Sequence, residues 1–328
     1  MLKRRLNNLI IYLFVFSIGV STILLYKRNK LYELTSSQYI KWVDFKVTEQ
    51  AMSDALKFEL ANRDTENKVT MIDLLAILGA KYGGDFSQYK HSDMSLIIEQ
   101  INNGKTISEI GAKYNHYQYF AEAYSAVLGE FVGEYYNNGE RKFGLRVFSP
   151  IAQGYYYTHS DDFGVSRSYG YKRKHLGHDM MGSVGTPIIA VESGYVEAIG
   201  WNQYGGWRIG IRSFDNKRYY YYAHLRKDHP YAFDIEVGDT IVAGDVIGYM
   251  GMTGYSAKEN VNNIKIPHLH FGIQLIFDPS QKDGYNQIWI DCYEIVKFLN
   301  KNKMTVCKTS DGKDYIKSKN FEIFDIPD

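Results

Sequence analysis

The segment Pro267-His-Leu-His-Phe-Gly-Ile-Gln-Leu275 constrains the fold more than any other stretch of the chain. Successive side chains of a strand point to opposite faces, so residues two apart share a side. Leu269, Phe271, Ile273 and Leu275 then make one apolar face, while His268 and His270 stand together on the other. Such a strand must bury its apolar side against neighbours, and the chain from about residue 145 onward offers them. Its short alternating runs separated by glycine predict a mostly antiparallel sheet. Ile188 to Ile199 reads as a strand pair around Ser193-Gly194, Gly205-Gly206 separates the next strand, and Asp215-Asn216 is a turn before Arg218 to Leu225. Val237 to Gly248 has the glycines of a tight hairpin. A helix is expected from about Cys292 to Asn300, followed by a lysine-rich tail read as a solvated edge.

A second motif, His175-Leu-Gly-His-Asp179, also suits extended chain. His175 and Asp179 would share a face, with Gly177 between them leaving room for an ion. A helical alternative is disfavoured by Gly177, Gly182 and Gly185. A histidine by itself is more often packed or on the surface than bound to metal, so the weight lies on the joint pattern. Zinc fits these residue types, because catalytic zinc sites take three His or carboxylate ligands and keep a position for water. Two imidazoles and one carboxylate leave a net charge of about +1, which stabilises a developing oxyanion. A further histidine, His224 in Tyr-Tyr-Tyr-Tyr-Ala-His-Leu, ends a strand and is suited to orient or deprotonate the water together with His268.

These motifs occur in a longer ordered series. It includes Gly185-Thr-Pro187, Ala190 to Gly194 with Val196, Tyr222-Ala-His-Leu225, Val237-Gly-Asp239, Gly244, Ile247-Gly248 and Thr253-Gly254, and ends in Pro267-His-Leu-His-Phe271. Over roughly residues 155 to 280 the chain resembles the lysostaphin-type (LytM-like) zinc endopeptidases, which cleave the peptide part of bacterial peptidoglycan. The resemblance implies a duplicated hybrid motif fold, with His175, Asp179 and His270 as Zn2+ ligands and His224 and His268 as catalytic histidines. It gives Arg167 a structural role and offers Tyr169 or Tyr171 to help hold an oxyanion. Two departures stand out: an extended loop from Tyr255 to Ile266, which would border the groove, and Gly272 where an acidic residue usually follows the His-x-His-Phe run.

The expected architecture is α+β and multidomain. An N-terminal membrane anchor or signal segment spans 1–30, a helical domain 31–145, the antiparallel zinc peptidase domain 146–300 and the lysine-rich tail 301–328. Lys3, Arg4 and Arg5 precede an uncharged run from Leu6 to Tyr26, long enough to cross a bilayer as a transmembrane helix. The expectation is therefore a single-pass protein of the cell membrane with its peptidase domain outside the cytoplasm, or a secreted one if the segment is cleaved. Capping-box patterns at Thr70–Asp73 and Thr106–Glu109 start two helices, and Tyr117 to Tyr136 reads as another. Lys+Arg 38 against Asp+Glu 37 leaves no basic excess for nucleic acid. The 29 tyrosines fill strands and suit a groove for a polar polymer. The two cysteines, Cys292 and Cys307, can be a disulfide or two thiols. Beside hydrolysis of peptidoglycan stands a second reading, a wall-binding or membrane-complex scaffold that keeps the fold without cutting. A lipoyl-type carrier is disfavoured because the tip at Ala243-Gly244 lacks a lysine.

Overall fold

The structure is a computed structural model and describes residues 39–65, 68–169 and 171–324. Helices come first: α1 (Glu49–Ala61), α2 (Met71–Tyr82), α3 (His91–Asn102), α4 (Ile107–Gly111) and α5 (Tyr117–Leu128). Both capping boxes form. Thr70 and Asp73 exchange side-chain and backbone hydrogen bonds at the start of α2, and Thr106 and Glu109 do so at α4. α2 is the hub, with Leu74, Leu75, Ile77 and Leu78 fully buried. Gly79 lets α5 close onto it, since a Cβ there would come within 2.8 Å of the Tyr124 ring.

The helix expected over Tyr117 to Tyr136 stops at Leu128. The chain then forms the hairpin β1 (Val132–Asn137) and β2 (Glu140–Leu145). Asn138 and Gly139 take φ of 52° and 80°, the left-handed pair of a tight hairpin turn. Asn137-Asn138-Gly139, just beyond the expected helix, is the turn itself.

The sheet region follows with β3 (Thr158–His159), β4 (Ser166–Tyr169), β5 (Tyr171–Lys174), β6 (His178–Met181), β7 (Pro187–Ile189) and β8 (Gly194–Asn202). It continues through β9 (Gly206–Ser213), β10 (Arg218–Ala223), β11 (Thr240–Ile241), β12 (Val246–Tyr249), β13 (His268–Leu275) and β14 (Ile288–Ile290). The main sheet is antiparallel in the order β11-β8-β9-β10-β13-β6-β3, and β14 pairs with β13. Leu269, Phe271, Ile273 and Leu275 of β13 are fully buried, as the alternation requires. They pack with Tyr220 and Tyr222 of β10, whose rings lie 6.2 and 5.4 Å from Phe271.

Two expected hairpins do not form. β7 pairs with β12, and β8 pairs with β9 and β11. Thus the segments 188–199 and 237–248 each send their two arms to different sheets. The glycines provide turns, but the partners are remote in sequence. The tail is not a solvated edge either. After α6 (Tyr293–Leu299) come β15 (Val306–Lys308), β16 (Tyr315–Lys317) and β17 (Phe321–Ile323), and β17 extends the β1–β2 hairpin. Met304 and Phe321 are buried with Phe148, Ile189 and Tyr249, which explains why this lysine-rich stretch stays folded. Cys292 is buried and Cys307 exposed, and both are free thiols.

The expected single-pass membrane localisation is corrected here. Among the described residues no helix is long and apolar enough to cross a membrane. The segment 1–30 that prompted the expectation lies outside the described residues.

One carboxyl between β14 and α6 links fold to pH. Burial raises Asp291 to about 6, helped by nearby Asp161, Glu294 and Asp162 and opposed by the Tyr293 N–H it accepts at 2.9 Å. A raised folded pKa adds stability below the unfolded value of about 3.9, and that stability is lost as pH rises through about 6. Asp291→Asn keeps the acceptor without the charge. It should raise stability at pH 8 by about 1 kcal/mol, discounted for solvent screening, and have no effect near pH 4. Thermal melts at the two pH values check this; an equal shift at both would contradict it.

Candidate active site

β6 and β13 are neighbours, and their register sets Asp179 opposite His270. His175 precedes β6 and turns back toward the same point. His175 Nε2 lies 3.0 Å from Asp179 Oδ1 and 2.9 Å from His270 Nδ1, and His270 Nδ1 lies 2.9 Å from Asp179 Oδ1. Three lone-pair atoms thus make a near-equilateral triangle in a buried pocket, the arrangement in which these residues can hold a metal ion. The edges are close to the separation of about 3.3 Å that bonds of about 2.05 Å impose in a tetrahedral zinc site.

The surroundings orient these three atoms. His175 Nδ1 lies 3.1 Å from the Asp162 carbonyl, which only accepts, so Nδ1 carries the proton and Nε2 is left as a lone pair. Arg167 donates to Asp162 Oδ2 at 2.8 Å and to Asp179 Oδ2 at 3.3 Å, holding the outer oxygen of the carboxylate. Burial alone would raise the Asp179 carboxyl, but its close contacts with the His175 and His270 rings and the charge of His270 and His268 hold it well below the usual carboxylate range. Burial pushes His270 down despite Asp179. His175 is also buried, yet the hydrogen bond and charge of Asp179, joined by Asp162, raise it.

Gly177 has a different use from the one expected. A Cβ there would lie 2.6 Å from His270 Cε1 and 2.8 Å from the Phe271 carbonyl, so the glycine makes room for the His270 ring. His178 points to the other side, where its Nε2 meets His159 Nδ1 at 2.7 Å. Burial and His159 push it down to about 3, which keeps it neutral.

His224 and His268 complete the cluster, with ring centroids 4.7 Å apart. His224 adopts φ 63°, a left-handed conformation for a non-glycine residue at the end of β10. Its Nδ1 donates to the Thr253 carbonyl at 2.9 Å, and His268 Nδ1 donates to the Ile266 carbonyl at 2.8 Å. In each ring Nδ1 is thus committed to a carbonyl, and Nε2 is the nitrogen left to take or give a proton. Burial, then the neighbouring His268 and His270, holds His224 well below its ordinary value.

The cluster opens into a groove of about 590 Å³. Tyr204 and Tyr255 form one wall and sandwich the Arg173 guanidinium, 5.0 Å from each ring centroid. Tyr255 begins the extended loop, so the base of that loop does border the groove. At the other departure, Gly272, the Trp289 ring occupies the space of a side chain, 2.8 Å from where a Cβ would be. The side chains of Tyr169 and Tyr171 lie outside the described residues. Sequence reasoning missed Asp162, which orients His175 from thirteen positions upstream with no motif of its own. It also missed Arg173 and Arg208 among the groove residues, because only strand order brings them there.

An antiparallel sheet carrying a His/Asp/His donor set beside two further imidazoles defines a metallopeptidase-like centre. Residues 173–283 match the sequence profile of Peptidase family M23, and this segment is a domain of that family, as the motifs led one to expect. Over 147 residues the chain is 35% identical to the L-Ala–D-Glu endopeptidase of Bacillus subtilis, covering 45% of this chain and 43% of that protein. It is 39% identical over 98 residues to lysostaphin of Staphylococcus staphylolyticus, covering 30% of this chain and 18% of that protein. The chain thus matches less than half the length of these relatives. A crystal structure named for a glycyl-glycine endopeptidase, lytM of Ruminococcus gnavus, aligns with a TM-score of 0.54 at 22% identity. The alignment covers 82% of this chain and 93% of that one, and the likeness is one of fold alone.

Proposed function

We propose that this protein is a zinc endopeptidase that hydrolyses peptide bonds in bacterial peptidoglycan. The observation that carries the reading is the convergence of His175 Nε2, Asp179 Oδ1 and His270 Nδ1 within 3.0 Å, beside the open Nε2 atoms of His224 and His268. The relatives named for endopeptidase activity support it. His175, Asp179 and His270 would hold the zinc ion, which when bound supplies Lewis-acid chemistry that polarises a carbonyl and acidifies water. His224 and His268, each anchored through Nδ1, are the proton carriers. One accepts the proton of the attacking water at Nε2 and passes it to the departing amine as the amide C–N bond breaks. Arg167 and Asp162 keep the ligands in register. In this reading residues 146–300 act as the peptidase domain and the helical domain preceding it positions that domain on its substrate.

The test uses the purified full chain and isolated peptidoglycan. New amine groups should appear with time, vanish after dialysis against a chelator, and return on adding zinc. A zinc-loaded protein that binds the polymer but releases no amines would instead be a non-lytic scaffold that keeps the fold.

A further inference from the structure

The groove extends beyond the three ligand side chains along the same face of the sheet. Ala223 pairs with His270, and Tyr222 pairs with Ile209, so the next position, Arg208, flanks Ala223 from the opposite strand. Two strand spacings separate the Arg208 and His270 backbones by about 10 Å, the length of about three extended residues. On its other side Arg208 pairs with Gly200, where a Cβ would meet nothing within 4 Å. Arg208 is thus flanked on both sides by small residues and is itself half-buried.

Its electrostatic situation differs from that of the other cations nearby. Arg167 is paired with Asp162 and Asp179, while Arg212 and Lys282 share Glu197. Arg173 donates to the Tyr255 hydroxyl at 2.7 Å. Arg208 lines the groove, its Nε is buried without a hydrogen-bond partner, and its side chain makes no ion pair among the described residues. A buried donor with no acceptor is unfavourable unless a ligand supplies one. The groove as a whole favours an anion: five Lys and Arg side chains line it against three carboxylates. A guanidinium fork matches a carboxylate through two parallel N–H···O bonds.

We propose that Arg208 is a specificity residue that binds a free carboxylate carried by the substrate within about three residues of the scissile bond. The preferred substrate is then an acidic stem peptide, not an uncharged glycine bridge. This rests on the endopeptidase reading above and adds to it the class of peptide cut.

Two synthetic stem peptides test it, identical except that the γ-linked glutamate carries its α-carboxyl free in one and as the amide in the other. With the zinc-loaded full chain, kcat/KM should favour the free acid by about tenfold or more, chiefly through KM. Calorimetric binding should show the same preference in Kd. In Arg208→Gln the ratio between the two peptides should fall to about one, and Arg208→Lys should keep part of it, since one ammonium replaces a two-pronged contact. A wild-type ratio near one, in rate or in Kd, overturns the proposal whether or not the variants fold. An undiminished ratio in Arg208→Gln does the same. Hydrolysis of neither peptide, with acid-selective binding intact, would sink the endopeptidase reading and leave the carboxylate site standing.

Discussion

His270→Ala will give a folded protein that neither retains zinc nor releases amines from peptidoglycan. Folding should survive because the side chain lies on the groove side of β13, while the buried Leu269 and Phe271 that hold the strand are untouched. The metal should be lost because His270 Nδ1 is one of three donor atoms, each about 3 Å from the other two. A residue that only orients a ligand is worth about 10–100-fold in metal affinity, so a ligand itself is worth more. Space above Gly177 opens as the ring leaves, which gives the remaining two ligands no substitute donor. His268→Ala is the control. It sits two residues away on the same face, with Nε2 3.8 Å from Asp179 Oδ1. That variant should keep zinc while hydrolysis falls by about 10²–10⁴-fold, the usual share of a proton-transfer group. Metal content after gel filtration and amine release from peptidoglycan separate the two. If His270→Ala bound zinc as tightly as the wild type, the ligand assignment would be wrong.

The two variants test the part of the site that the sequence displayed openly. Strand alternation put His268 and His270 on one face, and β13 carries them so. The His-x-Gly-x-Asp spacing brought His175 and Asp179 together, with Asp179 across from His270. Helix starts were equally legible, because a capping box is a local device and Thr70 and Thr106 need only residues three positions away. What stayed hidden was non-local. Nothing near Asp162 announces that its carbonyl will meet His175, and nothing in Val237 to Gly248 announces that its arms leave for β7 and β8. The tail misled through composition: its lysines are conspicuous, yet Met304 and Phe321 decide its fate by filling the core. At Asn138-Gly139 the cue is local but open to two readings, since the same dipeptide ends helices and turns hairpins.

The largest effect on stability should come from Arg218→Ala, far from any ligand. Arg218 is fully buried. It donates to Glu192 through Nε at 2.8 Å and Nη2 at 3.0 Å, and through Nη2 to Asp215 at 2.9 Å. Nη1 reaches the Ala126 carbonyl at 2.6 Å, one of the last carbonyls of α5 and without a partner inside the helix. One guanidinium therefore ties the helical segment to the sheet. Burial disfavours its charge, but Glu192, both by charge and by hydrogen bonding, raises its pKa further above the ordinary arginine value. Truncation would leave the Glu192 carboxylate buried beside the Tyr220 hydroxyl and strand the helix end as well. Breaking a buried pair from one side costs about 3–5 kcal/mol, a large part of the roughly 5–15 kcal/mol that holds a domain folded. Most of that loss should be the stranded carboxylate and not the missing attraction. Arg218→Met combined with Glu192→Gln should therefore recover more than half of it, a coupling that a double-mutant cycle in urea measures. Zinc affinity of the folded fraction should stay at the wild-type level in each variant, because none of these residues touches His175, Asp179 or His270. A loss below about 1 kcal/mol for Arg218→Ala, or a double variant less stable than the single one, would show that the ion pair does not hold the helices to the sheet.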